Sequence, residues 1–429
     1  SDGRVLWTDS FVVPTDPRDL GLLADAVAVH LRRAYPDRES REGTPGLDVR
    51  DEDYARFLRL KLRVDQGGLP SETELAELAS ILRSSPRFLE AHLLAAKVEQ
   101  NLFRSTRNPV HLERGNEAVR TARALAPGDP RPLAVELRLA LAANRPVEAR
   151  TLLNDLERLL PGDPELLALS GQVAESEGDL ERAISDLAAA VERIPSWSNL
   201  YRLADLEARA GRNDDARRHL EELLERNPGN LWGLDRLGNL ELLAGDPARA
   251  ERIYLDLLRL QPQWSHYTNL GLARMLLGRP AEAVEAYREA LKLAPGHVAV
   301  LLNLADAELD LGNESEARTF YRQALTSLEE NEASAGLSPV DWMIKAQCLA
   351  RLGQRREAVA QAQRTLRDSS EDPQVLYLAS LVYALAGDRS SALVNAEMAL
   401  DKGVQPRWLT LSAFNSLRGD PDFQVLLRR

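Results

Sequence analysis

Apolar positions recur along most of this chain with helical spacing, in pairs of short segments separated by a turn. The clearest pair is residues 264–296, WSHYTNLGLARMLLGRPAEAVEAYREALKLAPG. Tyr267, Leu270, Gly271 and Arg274 mark the first segment, and Gly278 ends it. The second opens near Pro280, carries Ala283, Tyr287 and Ala290, and stops at Pro295. Steps of three and four put these residues on one side of an α-helix, so the pattern predicts two amphipathic helices joined by a tight turn.

The same unit is written many times. Its closing prolines, Pro127, Pro161, Pro195, Pro228, Pro262 and Pro295, are spaced by 34, 34, 33, 34 and 33. Twelve residues before five of them stands an alanine: Ala149, Ala183, Ala216, Ala250 and Ala283. Five residues earlier come the turn glycines Gly178, Gly211, Gly245 and Gly278. Each position has a physical reason. A small residue is needed where two helices cross closely. Glycine takes the positive φ of a helix C-terminus. Proline denies the second helix another turn and sets the register of the next unit. Tyr254, Tyr287 and Tyr321, in phase with one another, are expected in the core between hairpins.

The two ends and two interruptions depart from the period. Residues 5–13 alternate and then run apolar, which predicts one strand or two short ones, and residues 16–35 predict a helix capped by Asp16 with Pro17 in its first turn. A lone strand cannot satisfy its backbone, so residues 1–50 are expected to be a strand–helix segment and linker left from an upstream α/β domain. Residues 51–129 read as degenerate hairpins, with Ser71 and Glu74 forming a capping box and FRSTRNPVH an inserted loop. The regular array covers 130–331, residues 328–339 space it out, and further units fill 339–405. Residues 406–429 predict capping helices, Trp408, Leu411 and Phe414 on one and Phe423, Leu426 and Leu427 on the other.

Composition narrows the function classes. The net charge of −12 argues against general nucleic-acid binding, which needs clustered Lys and Arg, and against contact with anionic membranes. No apolar run reaches the roughly 20 residues of a bilayer span. The single cysteine, Cys348, excludes an internal disulfide framework and reads as a buried structural thiol.

A period near 34, two helices per unit and the Gly/Ala/Tyr/Pro pattern together resemble tetratricopeptide repeats. The resemblance implies an all-α superhelical solenoid of about ten helical hairpins. The ends carry a second resemblance. The tail WL…FxxLRGDPxFxxLL and the segment DGRVLWTDSFVVPTDPRDLGLLADAVAVHL are similar to the flanks of tetratricopeptide regions in bacterial signalling proteins. Those regions are attached to serine/threonine kinase, adenylate-cyclase or winged-helix domains.

No reaction chemistry is visible. The six histidines are scattered without a zinc spacing, and no phosphate-binding, dinucleotide-binding or kinase motif occurs. No cofactor, metal or catalytic residue is expected. The positions left free by the repeat pattern are those facing the groove of the first helices. Repeat register assigns Arg131, Arg138, Tyr201, Asp205, Trp232, Asp235, Asn239, Thr268, Asn269, Met275, Asn303 and Asp306 to that groove. By the same register Gln172, Leu302, Met343, Gln347, Tyr377 and Leu381 line it. Aromatic, Met and amide groups suit an extended peptide or partner helix. Asn269 and Asn303, equivalent in consecutive units, resemble the asparagine ladder with which O-linked N-acetylglucosamine transferase repeats grip a peptide backbone. The carboxylate clamp of chaperone-binding repeats is not recognisable.

The expected function is a non-catalytic interaction and sensing module, the C-terminal repeat region of a bacterial signalling protein such as a serine/threonine kinase. The alternative is a free-standing scaffold for assembly of an envelope or secretion complex. The expected partner is a protein or peptide, with a homodimer open. A cytoplasmic or periplasmic setting fits both, the latter as the extracytoplasmic portion of a membrane-anchored protein.

Overall fold

The computed structural model describes residues 49–65 and 72–429. The strand and helix expected before residue 49, and the Ser71 side of the expected capping box, lie outside the described residues. Every regular element among the described residues is helical. They divide into two units, one ending at Ile194 and the other Pro195–Arg429.

The first unit is a stack of antiparallel hairpins. Its helices are α1 (Asp51–Asp65), α2 (Glu72–Ser84), α3 (Leu89–Thr106), α4 (Pro109–Leu125), α5 (Pro130–Ala142), α6 (Pro146–Leu159), α7 (Glu165–Ser176) and α8 (Leu180–Arg193). No loop is inserted at FRSTRNPVH. Those residues lengthen α3 and α4 instead, and only Arg107 and Asn108 connect them. Arg107 turns the chain at φ 57°, and the Asn108 side chain caps α4 by accepting from Val110 N–H at 3.1 Å. α1 is tied to the end of α2 through Asp53, which accepts from Ser84 Oγ at 2.6 Å and Ser85 Oγ at 3.0 Å.

The second unit repeats the same grammar. It runs α9 (Trp197–Arg209), α10 (Asn213–Arg226), α11 (Leu231–Ala244), α12 (Pro247–Leu260), α13 (Trp264–Leu276) and α14 (Pro280–Leu293). Then follow α15 (Val298–Asp310), α16 (Glu314–Ala335), α17 (Pro339–Arg351), α18 (Arg355–Ser369), α19 (Pro373–Ala386) and α20 (Arg389–Asp401). Ala216, Ala250, Ala283, Ala317, Ala358 and Ala392 are all fully buried at the helix crossings. Because one hairpin cannot cover its own apolar stripe, the core is shared between neighbours. Leu237, Leu240, Ile253 and Tyr254 pack with Leu270, Ala273 and Ala286 of the next pair.

Three expectations change. The expected spacer at 328–339 is mostly helical, because α16 runs 22 residues to Gly336. The tail does not form two helices: Pro406–Thr410 and Ser412–Leu417 are short 3₁₀ turns broken at Leu411, whose ψ is 151°, and only α21 (Pro421–Leu426) is α-helical. Gly245 does not share the positive φ of Gly178, Gly211 and Gly278. It ends α11 at φ −115°, ψ −130°, and a Cβ there would collide with the Glu241 carboxylate. That carboxylate replaces the usual glycine turn: it accepts from Asp246 N–H at 3.0 Å and holds Arg217 at 2.8 Å and Arg249 at 3.1 Å.

Candidate functional site

Ten of the twelve expected groove residues stand on first helices of the second unit, α9, α11, α13 and α15. The other two lie in the first unit. Arg131 is exposed but already paired, with Asp129 at 2.6 Å and Glu90 at 3.3 Å. Arg138 is half-buried, and its carbonyl accepts from Gln100 Nε2 at 3.0 Å.

On α9 and α11 the expected residues do converge. The indole of Trp232 is 54 % exposed and meets the half-buried ring of Tyr201 edge-on, with centroids 6.4 Å apart. Burial pushes the Tyr201 hydroxyl above its ordinary pKa. Asp205 is neutralised by Arg236 at 2.8 Å. Asp235, one turn beyond Trp232, keeps a side chain 44 % exposed and meets the His266 ring at 3.8 Å. Its carboxyl nevertheless sits low enough in the face that burial pushes its pKa up.

From Asp235 a ladder of hydrogen bonds runs between repeats. The Asn239 amide donates to Asp235 Oδ2 at 3.1 Å, and its Oδ1 accepts from the Tyr254 hydroxyl at 3.1 Å. Asn269 donates to both, to Asn239 Oδ1 at 3.2 Å and to the Tyr254 oxygen at 3.1 Å. Tyr254 is therefore core, as expected, but its hydroxyl is also the joint between two repeats. The Asn239–Asn269 pair, offset by three positions in phase, is what forms the polar ladder. Asn303 is half-buried on α15 and does not extend it.

Other expected residues are turned away or covered. Thr268 is buried and donates back to the Trp264 carbonyl at 2.8 Å. Met275 packs against the cluster of Ala283, Tyr287 and Leu304. Asp306 is engaged by the Tyr321 hydroxyl, by Gln347 Nε2 at 3.2 Å and by Arg351 at 2.9 Å. Around it, Gln347 Oε1 and Arg351 Nε are buried without a hydrogen-bond partner. Arg236 and Arg351 were missed by sequence reasoning. Both sit one turn beyond an expected liner, and only the packed geometry brings them to Asp205 and Asp306.

Cys348 is fully buried, and burial pushes its thiol up to about 12. Among the described residues no group of three or more His, Cys, Asp or Glu side chains is placed to hold a metal ion, and no helix is long and apolar enough to cross a membrane.

Known proteins place the repeats. One tetratricopeptide repeat model matches residues 135–196, 236–297 and 268–334, and a second matches 197–240. No curated protein matches the chain. A tetratricopeptide repeat protein from Parabacteroides merdae is similar in structure, at 18% identity and TM-score 0.46, over 62% of this chain and 97% of that one. The C-terminal part of a repeat-containing protein from Cytophaga hutchinsonii is similar at 13% identity and TM-score 0.43, over 56% and 97%. MamA from Desulfovibrio magneticus is similar at 19% identity and TM-score 0.37, over 41% and 98%.

Proposed function

Because residues 135–334 carry tetratricopeptide repeats, we propose that this chain is a protein-interaction module. It holds an extended peptide, or one helix of a partner, on the inner face of its second unit. The observation that carries this reading is Trp232. A large aromatic side chain more than half exposed, flanked by Tyr201 and the raised carboxyl of Asp235, is the usual chemistry of an interface anchor. Asn239 and Asn269 continue the polar ladder, ordered by Tyr254; the Asn239 amide is fully used, and the Asn269 Oδ1 is left to accept from a main-chain N–H. The test is affinity capture with the full chain as bait, compared with Trp232→Ala and Asn269→Ala/Asn303→Ala. A groove ligand is lost or strongly reduced with Trp232→Ala, and equal recovery by all baits removes the groove reading.

The module is further proposed to be the repeat region of a bacterial signalling protein, passing partner occupancy to an output domain. The sequences at its two ends support this. Reading the coding sequence upstream of residue 1 tests it: a kinase or winged-helix domain followed by one membrane span agrees, and a signal peptide directly before residue 1 contradicts it.

A further inference from the structure

The inner face of the second unit changes character along its length. On α11 Trp232 is open and Asp235 and Asn239 are only partly covered, but Met343 in the place of Asp235, and Gln347 and Leu381 in the place of Asn239, are 0 %, 2 % and 4 % exposed on α17 and α19. The chain's own tail covers α19. Leu409, Ala413, Phe414 and Leu417 share one cluster with Met343 and Leu381. Tyr377, also expected to line the groove, donates to the Trp408 carbonyl at 3.3 Å and has its ring 6.1 Å from Phe414.

The same tail reaches back across the face. Ser412 comes close to the Asp310 carboxylate at the end of α15. The Arg407 guanidinium donates to the Gly245 carbonyl, 162 residues earlier, at the turn between α11 and α12. That turn is the one built differently from its neighbours, with Gly245 in a conformation the positive-φ glycines do not adopt. The two halves of the tail differ in how firmly they are held. Beyond Leu411, Phe414 and Phe423 are fully buried and Arg389 pairs with Asp420 and Asp422. Before it, Leu409 is the buried anchor, Thr410 is exposed, and the segment lies between a left-handed Gly403 at φ 96° and the extended Leu411.

We propose that residues 406–411 are an intramolecular strap that closes the inner face between α11 and α19, with Arg407 as its latch. The strap opens without unfolding the last repeat. That it thereby limits where a partner docks rests on the interaction reading above; the strap itself does not. The chemistry is simple. The Arg407 donor is charged, so its bond to the Gly245 carbonyl is charge-assisted, and with buried Leu409 and the Tyr377–Trp408 bond it holds the segment by a small number of contacts.

The test uses the full chain with Thr410→Cys and Leu243→Cys, both at exposed sites, carrying spin labels while Cys348 stays buried. Pulsed electron–electron resonance then reads the strap-to-turn distance. One short distance is expected in this background. Arg407→Ala is expected to raise a second, longer population about fivefold or more, the effect of losing one hydrogen bond, and Arg407→Lys to restore most of the short one. Hydrogen exchange on the same variants separates a strap from a structural cap. Amides of 406–411 should speed up about fivefold or more in Arg407→Ala while those of α19 and α20 keep their rates. An unchanged distance distribution, or opening of the strap only together with α19 and α20, overturns the proposal. Neither readout involves a partner, so failure of the interaction reading leaves the result standing.

Discussion

Gly271 and Tyr287 are fitted to each other: a Cβ on Gly271 would stand 2.5 Å from a ring carbon of Tyr287. This contact, between α13 and α14, explains why a glycine sits in the middle of a helix that would otherwise prefer alanine. Gly271→Ala is therefore expected to destabilise the chain by about 1–3 kcal/mol through overpacking. Gly278→Ala is expected to cost about 1–2 kcal/mol for a different reason, its φ of 71° in open space. Urea denaturation distinguishes the two. Tyr287→Leu should rescue part of the Gly271→Ala loss, giving a non-additive double variant, and should leave the Gly278→Ala loss unchanged.

The tyrosine hydroxyls are not equivalent. Fifteen residues before Tyr254 and Tyr321 stand the polar partners Asn239 and Asp306, whereas the same position before Tyr287 is Leu272. Tyr254→Phe should cost about 1 kcal/mol, because Asn239 and Asn269 lose their shared hydroxyl. Tyr287→Phe should fall within about 0.5 kcal/mol of the parent. Equal losses in the two variants would show that the ladder contributes nothing at Tyr254.

The Trp264–His297 stack, with ring centres 4.0 Å apart, makes stability depend on pH. Burial lowers the His297 pKa below its ordinary 6.5, so the folded chain favours the neutral ring and the unfolded chain takes the proton first. The contribution is complete above about pH 6.5 and is lost as pH falls through the lowered folded value. Melting temperatures measured from pH 7.5 to 5 should decline more steeply for the parent than for His297→Phe, which keeps the stacked ring and removes the proton. Parallel curves would contradict this account.

Much of the fold was legible because the repeat writes its constraints at fixed positions. Ala250 and Ala283 are fully buried, and Gly178, Gly211 and Gly278 take positive φ, as their places in the unit require. What failed was local. FRSTRNPVH looked like an insertion because it breaks the period, yet its residues simply extend α3 and α4, and length alone does not separate a loop from an extra turn. Gly245 looked like its neighbours, but Glu241 four residues before it builds the turn another way. Register put Tyr201 and Trp232, and Asp235 and Asn239, in places where the structure finds each pair in contact. It could not say that Met343, Tyr377 and Leu381 are covered, since the cover comes from residues 406–417, and nothing in the repeat signals that Arg407 reaches Gly245.

The open stretch around Trp232 is proposed to bind a peptide. The most direct measurement is the affinity of a peptide selected from a display library on the full chain. Kd should be compared for the parent, Trp232→Ala on the inner face and Leu293→Ala at an exposed position on a second helix. Trp232→Ala is expected to weaken binding about tenfold or more, roughly 1.4 kcal/mol or above, as loss of an interface anchor should, and Leu293→Ala to leave it unchanged. Equal affinities for the parent and Trp232→Ala would contradict the proposal.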